Sequence, residues 1–408
     1  RTKHPNPLLT MEKKKNTPKL RFPEFTGEWE EKKLGEIFRI SAGGDIDSKH
    51  VSKERTEKFN YPIYANTERD KGLYGYSDVY KIESGVVTVT GRGVNIGIAH
   101  ARNHKFYPIV RLLVLEPLKE ENIYFYEYQI NRLNLYKEST GVPQLTAPQI
   151  SIYCVCFPQL IEQTKIATFL TAVDEKLTQL KKKKTLLEQY KKGVMQKLFS
   201  QELRFKDDNN QDFPDWQEKT LGEMGETYNG LTGKNKDSFG TGKPYIQYKQ
   251  IFDDSKIDVT RFELVEISYD EKQNKVKFGD IFFTVSSETP DEVGMSSVLL
   301  NEVEELYLNS FCFGYRPFSL QILSPFYARY LFRSEQFRKT VIVLAQGSTR
   351  YNLSKLGMMN LIIGLPSLPE QQKIATFLSS IDEKIIHCGK QIEKMEAWKK
   401  GLLQQMFC

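Results

Sequence analysis

Cysteine is scarce. Five residues at 154, 156, 312, 388 and 408 are scattered through 408, with no CxxC pair and no histidine at ligand spacing beside them. Neither a disulfide framework nor a zinc site is suggested, and a reducing cytoplasm is the setting that fits. Long apolar runs are also missing. None approaches the ~20 residues that span a bilayer, and no pattern of basic, apolar and small residues opens the chain as an export signal. The reading is of a soluble protein with no membrane partner. The ten residues before Met11, RTKHPNPLLT, read as upstream sequence and stand outside the fold argument. Neither sign of charge dominates: 58 basic residues face 52 acidic ones, a net of +6. Such a balance permits a polyanionic partner without demanding one.

Motifs for nucleotide chemistry are absent too. GLTGKNK (230–236) fails the phosphate-loop pattern at its first glycine and after its lysine, and the GxGxxxG of residues 91–97 has the wrong spacing for a dinucleotide site. His100 and His104 stand four apart in strand and loop sequence without a neighbouring acid, which argues against a metal site. An amino-methyltransferase is expected to carry Asn or Asp followed by two prolines and an aromatic, and none occurs. Acids are plentiful enough to leave a nuclease open, but nothing assembles one.

What the chain does contain is itself, twice. Residues 162–199 align without a gap with residues 370–407, at a constant offset of 208, beginning EQTKIATFL and EQQKIATFL. Earlier in each half WEEKKLGE (29–36) is echoed by WQEKTLGE (216–223) at an offset of 187, so the stretch between is 21 residues longer in the second copy. The stretches between these ends differ almost everywhere. Shared ends around unlike middles suggest one scaffold with two specificities; drift after duplication is the plainer alternative.

Each repeated segment carries an apolar stripe at alternating four-three spacing. In the first copy it runs Ile166, Leu170, Val173, Leu177, Leu180, Leu187, Val194 and Leu198, interrupted at Lys184 and Lys191; in the second it includes Ile374, Leu378, Ile381 and Ile385 and breaks at Lys399. Pro369 and Glu370 are helix-start residues, whereas Ile161 stands where the second copy has Pro369, which leaves the first helix's start less defined. Helices of ~38 residues, or ~55 Å, are predicted. So narrow a stripe must be covered. The two helices packing on each other antiparallel is one solution, and pairing with other chains is the alternative. Lysines 181–184 read as a solvated face or as a nucleic-acid patch. Gly193 and Gly401 weaken a helix interior by ~1 kcal/mol each relative to Ala, and their matched positions call for close approach of a partner helix.

The middles, 34–157 and 221–365, hold short strand-like runs such as GVVTVT (85–90), FYPIVRLLVL (106–115), DIFFTV (280–285) and SSVLL (296–300), with helical segments around 122–137 and 324–343. The fold class is therefore α+β: two globular mixed α/β domains separated by a long antiparallel coiled-coil helix pair, with an internal pseudo-two-fold repeat. The domains are placed at 18–157 and 201–365, and the helical segments at 158–200 and 366–408. Polar loops rich in aromatic, Arg, Asn and Thr residues punctuate the domains. Their composition suits DNA readout, yet serves protein or sugar recognition as well.

These residues resemble the specificity (S) subunit of type I restriction-modification systems, from about Pro18 onward. The carrying motifs are FPQLIEQTKIATFLTAVDEKL and LPSLPEQQKIATFLSSIDEKI, the repeated W-x-E-K-x-L-G-E starts, and YPIYANTERDKGLYGYSD. The resemblance implies that each middle is a target recognition domain reading one half of a bipartite sequence in double-stranded DNA. Each helix would be a conserved spacer that sets the gap and docks a methyltransferase (M) subunit. The chain itself would be a non-catalytic part of an adenine-methylating complex and hold no cofactor. S-adenosylmethionine would belong to two M subunits, and ATP and Mg2+ to the restriction motor-nuclease (R) subunits bound through M. Ile166, Leu170, Val173, Gly193, Ile374, Leu378, Ile381 and Gly401 mark the expected partner-binding helices, and Gly193 and Gly401 gain M as candidate partner.

The residues expected to contact DNA are Asn66, Arg69, Arg92, Asn95 and Gln144 in the first domain, and Gln247, Lys249, Ser287, Arg350 and Asn352 in the second. They are polar side chains on predicted loops, and fewer than half are expected to touch a base. STGVPQLT and QGSTRYNLSK align at the 208 offset with little else shared. Each good bidentate contact adds ~1–3 kcal/mol of discrimination, so two domains with a few contacts each reach the ~4–10 kcal/mol of a specific site. A free-standing enzyme and a purely structural coiled-coil adaptor are the rival classes.

Overall fold

Residues 86–89, VVTV, are buried on both faces. A strand with no polar face must be covered twice, and the fold is built around that requirement. The computed structural model describes residues 16–67, 69–93, 96–133, 135 and 144–408. These form two compact units: one runs to Lys181 and includes Lys390–Cys408, and the other is Lys182–Gly389.

The first unit contains, in chain order, β1 (Glu30–Lys33), α1 (Leu34–Ile37), β2 (Phe38–Ala42), β3 (Tyr61–Tyr64), β4 (Leu73–Ser77), β5 (Val86–Val89), β6 (Ala99–Arg102), β7 (Tyr107–Pro108), β8 (Leu113–Pro117), α2 (Ile123–Asn131), α3 (Ala147–Ser151), β9 (Cys154–Phe157) and the start of α4 (Leu160–Phe199). The central sheet has the order β2-β8-β5-β6, flanked by β4-β3-β7 and by the pair β1-β9. Val87 and Val89 point to one side, into a core with Phe125, Tyr126 and Ile130 of α2. Val86 and Val114 point to the other, against Tyr64 and Phe106. The two-residue period of the strand thus feeds two cores.

The second unit repeats this plan with β10 (Gln217–Thr220), α5 (Leu221–Met224), β11 (Gly225–Asn229), β12 (Phe239–Ile246), α6 (Tyr248–Asp253), β13 (Glu263–Val265), β14 (Ile281–Thr284), β15 (Ser286–Ser287), β16 (Ser296–Val298), β17 (Tyr307–Leu308), β18 (Cys312–Pro317), α7 (Pro325–Leu331), α8 (Glu335–Ile342), β19 (Ala345–Gln346), β20 (Tyr351–Leu353), α9 (Lys355–Met359), β21 (Ile362–Leu365) and the start of α10 (Leu368–Gln405). Its sheets are β11-β18-β14-β16, β13-β12-β17 and β10-β21, with an additional small sheet β15-β20-β19. Ile281 and Phe283 face the helices, while Phe282 faces Ile246 and Leu308. Two sequence expectations are refined. FYPIVRLLVL is not one strand, because Val110 and Arg111 turn left-handed between β7 and β8. The helical stretch 324–343 is two helices, because the Ser334 hydroxyl caps a new start by accepting from the Phe337 N–H at 3.3 Å.

The repeated nonapeptide acquires a physical reading at each position. Glu162 is buried and accepts from Arg21 at 2.7 Å twice and from the Trp29 indole at 3.4 Å. Glu370 does the same with Arg204 and Trp216. The Gln163 amide donates to the Pro158 carbonyl and accepts from the Asn122 N–H, and Gln371 matches it with Pro366 and Ser324. Phe169 meets Phe22 edge-on at 5.8 Å, as Phe377 meets Phe205 at 5.4 Å. Ile, Ala and Leu of the motif fill the two main cores. A second echo in the sequence, LRF at 20–22 and 203–205, supplies the Arg and Phe partners. The first helix starts as early as the second relative to its Glu, because Ile161 lies outside on the surface and nothing requires a proline there.

The seam residues Ile166, Leu170 and Val173 belong to the first core and Ile374, Leu378 and Ile381 to the second. These side chains are covered by their own units, so a partner docking on the two helices would meet other residues of them. Within the first unit Leu402, Met406 and Phe407 of α10 pack beside them, and within the second Val194, Leu198 and Phe199 of α4. Of the three lysines that interrupt the stripe, Lys191 and Lys399 are paired with the opposite helix, while Lys184 lies 3.8 Å from Glu188 on its own helix; Lys181 beside the stripe is paired as well. Lys399 reaches Asp174 at 2.5 Å and Lys181 reaches Glu396 at 2.6 Å in the first unit, an antiparallel order. Lys191 reaches Asp382 at 2.6 Å in the second. Lys191 and Lys399 are one repeat position, Asp174 and Asp382 another. A charge inside an apolar seam fixes register, since any slip strands it. No close approach occurs at Gly193 or Gly401 within the described residues: a Cβ added at either meets nothing within 4 Å.

Candidate nucleic-acid interface

In each unit four loops converge at one end of the central sheet's strands, where the last residue of β5 pairs with the first of β8 and the last of β14 with the first of β18. The chain leaves β3, β5 and β7 in the first unit, and a fourth segment arrives just before α3. Asn66, two residues past β3, ties three of them: its carbonyl oxygen accepts from the Gly91 N–H at 2.8 Å and its amide nitrogen donates to the Val110 carbonyl. The Leu145 N–H closes the fourth loop on the Gly91 carbonyl at 2.8 Å, and Arg92 bridges Gln144. Gly91 allows this crowding, since a Cβ there would lie 2.8 Å from the Leu145 oxygen and 3.0 Å from that of Arg111. Val110 and Arg111 hold φ of 51° and 57°. A β-branched residue at positive φ is strained, and such strain gathers where a side chain must be aimed.

Arg111 and Arg92 are exposed at this cluster. Arg69 is exposed on the turn after β3, where Asp70 and Lys71 are also left-handed, and pairs loosely with Asp70 at 3.6 Å. That turn is fastened from inside: buried Arg102 donates to the Lys71 carbonyl and to the Thr88 hydroxyl and lies 3.7 Å over the Tyr64 ring. Tyr64 in turn meets His104 Nε2 at 3.0 Å. Burial, then the charge of Arg102, depresses the His104 pKa below its ordinary value. His100 reaches Glu127 at 3.4 Å rather than sharing a site with His104.

The second unit builds the same crossing with other side chains. The Leu353 N–H donates to the Val285 carbonyl at 2.8 Å, and Ser286 and Ser287 pair with Asn352 and Tyr351. Asn309 and Cys312 repeat the backbone bonds of Ile109 and Leu112, so Phe311 stands where the first unit has Arg111, and Tyr248 where it has Asn66. The Tyr248 hydroxyl donates to the Ser286 carbonyl at 2.8 Å. Gly347, at φ 133°, turns the chain so tightly that a Cβ would sit 2.1 Å from the Arg350 oxygen. Arg338 donates to the carbonyls of Asp291, Val293 and Gly294 at 2.7–2.8 Å and fixes the loop after β15. Between the loops lies a cavity of about 380 Å³ lined by Tyr248, Ser286–Glu288, Glu292, Phe311 and Arg350.

The structure therefore gathers Asn66, Arg92 and Gln144 in the first unit and Ser287, Arg350 and Asn352 in the second. Asn95 lies outside the described residues. Asn66 and Ser287 use their polar groups internally, Ser287 by donating to the Thr289 carbonyl, so they shape the loops rather than present a free edge. Gln247 is the half-buried residue before α6, and Lys249 is exposed on that helix, paired with Asp253 at 2.7 Å. Arg111, Tyr248, Glu288 and Phe311 escape the sequence reading. Arg111 hides inside an apolar run, and only the matching backbone bonds of the two turns point to Phe311.

Comparison with known proteins bears on this arrangement. The family described as "Type I restriction modification DNA specificity domain" matches residues 26–189 and 214–397. A putative type I specificity subunit of Mycoplasma pneumoniae is 32% identical over 139 residues, 34% of this chain and 41% of that protein. The type I restriction enzyme MjaVIII specificity subunit of Methanocaldococcus jannaschii is 25% identical over 312 residues, 72% of this chain and 71% of that one. Among solved structures, the type I restriction-modification S subunit from M. genitalium superposes with a TM-score of 0.60 at 17% identity, covering 96% of this chain and 99% of its own, which speaks for the fold. With both halves matched, each carrying its sheet, its four loops and its share of the long helices, the chain belongs to the type I restriction-modification DNA specificity family.

Proposed function

We propose that each unit reads one half of a bipartite sequence in double-stranded DNA through its four-loop cluster. The observation that carries this reading is the repetition of one backbone crossing with unlike side chains: Arg92, Arg111 and Gln144 in the first unit, Ser286, Phe311 and Asn352 in the second. Equal scaffolds with different chemistry are what two distinct half-site readers need. Arg and Gln suit the edges of guanine and adenine in the major groove, while exposed lysines and arginines hold phosphates.

In this reading α4 and α10 set the gap between half-sites and dock two methyltransferase subunits, through which motor-nuclease subunits join. The exposed faces available to such partners carry Leu186, Tyr190 and Gly193 on α4 and, at the matching repeat positions, Trp398 and Gly401 on α10. The chain contributes recognition and no catalytic group; S-adenosylmethionine, ATP and Mg2+ belong to the partners. The test is to map methylated adenines across the genome of cells that express this chain with its methyltransferase partner. Replacing residues 221–355 by those of another family member should change one half of the methylated sequence and keep the other. An unchanged target would make the chain an adaptor, and methylation or cleavage by the purified chain alone would make it an enzyme.

A further inference from the structure

Glu288 is an anomaly on a surface that meets DNA, because a carboxylate repels phosphate. It lines the cavity of the second unit together with Arg350, Tyr248 and the 61% exposed ring of Phe311. Glu292, the other acid of the wall, is engaged by the Thr289 hydroxyl at 3.0 Å. Glu288 and Arg350 line one cavity without forming an ion pair with each other among the described residues. An acceptor and a donor left facing the same space suit a ligand with a donor beside an acceptor on one edge and a flat apolar face. The cavity, about 380 Å³, is in the range of sites that enclose small ligands. A phosphate can accept from Arg350 but brings neither a donor for Glu288 nor a flat apolar face, and a base still stacked in the duplex cannot enter.

We infer that this cavity receives a cytosine extruded from the duplex. The inference rests on the proposed reading of the unit as a DNA-binding domain. The base stacks on Phe311, its exocyclic amino group donates to the Glu288 carboxylate, and its N3 and C2 carbonyl oxygen accept from Arg350; carboxylates are matched to the cytosine amino group by their acceptor-only chemistry. Thymine in the same pose sets a carbonyl oxygen against Glu288. Reading an unstacked base by its hydrogen-bonding edge between aromatic groups is an established strategy of proteins that act on single bases. The loop that carries Glu288 is held by three carbonyl bonds to Arg338, so the acceptor is placed before the base arrives.

The test uses the full chain and three duplexes of one flanking sequence, carrying a bulged cytosine, a bulged thymine or no bulge, with affinity read by fluorescence anisotropy. A bulged base is already unpaired, so its binding isolates the cavity from the cost of extrusion. The bulged cytosine should bind roughly tenfold tighter than the paired duplex, as one base–aromatic stack allows, and clearly tighter than the bulged thymine. Phe311→Ala should bring the ratio of bulged to paired affinity to about one, and Glu288→Gln should remove the preference for cytosine over thymine. Both positions are exposed, and each ratio is internal to one variant, so a general loss of affinity does not mimic the result. Equal affinities for all three duplexes, or a cytosine preference untouched by Phe311→Ala, overturns the cavity while DNA binding by the unit stands. Binding to none of the duplexes overturns both.

Discussion

Replacing Glu370 by Ala should uncouple the start of α10 from the strand-and-segment lead-in of the second unit. Glu370 is 0% exposed and accepts from Arg204 Nε at 3.1 Å, Arg204 Nη2 at 2.9 Å and Trp216 Nε1 at 3.2 Å. Its removal strands a guanidinium and an indole N–H. Breaking a buried pair from one side destabilises by about 3–5 kcal/mol. Arg204 is 23% exposed and keeps the Phe213 and Pro214 carbonyls at 3.2 and 2.7 Å, which places the loss at the lower end, about 3 kcal/mol. For a unit of this size that corresponds to a fall of roughly 6–12 °C in the melting transition that belongs to it. Glu370 raises the Arg204 pKa above its ordinary value. A raised cation stabilises at every pH below its unfolded value and loses that contribution only as pH rises through the folded one, so the effect should be flat from pH 5 to 9. The assay is calorimetric or circular-dichroism melting of the full chain beside Glu162→Ala, its counterpart in the first unit. A loss below about 1 kcal/mol would refute the reasoning, since it would mean that solvent replaces the carboxylate without penalty.

Three further outcomes follow from the same geometry. In a double-mutant cycle, Lys191→Ala and Asp382→Ala should couple by about 1 kcal/mol or more, because the 2.6 Å pair sits half-buried in the seam; additive effects in urea unfolding would count against a register role. His104 has a depressed pKa, so its stabilising contribution is present above the ordinary value of 6.5 and is lost as pH falls through the folded one. The melting temperature of the first unit should therefore drop between pH 7 and pH 5, and His104→Gln should flatten that slope; an unchanged slope excludes the histidine. Arg111→Ala should weaken binding to the complex's own DNA target by about 1–3 kcal/mol with little change in melting, and anisotropy titrations against salt would separate a base contact from a phosphate contact by whether the salt slope falls by about one. Wild-type affinity in Arg111→Ala would remove that residue from the interface.

The helices and the duplication are written in the order of residues, because a 3.6-residue period and a 208-residue offset are local or self-referential properties. The α+β class and the family follow from the same repeats. Which residues of the stripe would be covered by the chain itself was not legible there: Ile166 and Ile374 look equally available to any partner until the cores they fill are seen. The lysines at 191 and 399 read as interruptions, and only the opposite helix, bringing Asp382 and Asp174, turns them into paired charges.

For the recognition surface the division is sharper. Composition marks polar loops, and Arg92, Gln144, Arg350 and Asn352 are on them. Asn66 is on one as well, yet its amide is consumed by two backbone groups that lie 25 and 44 residues away in sequence. Arg111 sits in a run that reads as strand, because a left-handed turn at a valine is disfavoured by every local propensity and arises only when neighbouring loops over-determine it. Sequence alone determined that the chain is one scaffold used twice, since covalent order preserves a repeat whatever the fold. Tertiary structure decided which side chains share a surface, since four loops meet there through backbone bonds between residues too distant in sequence for any local pattern to register.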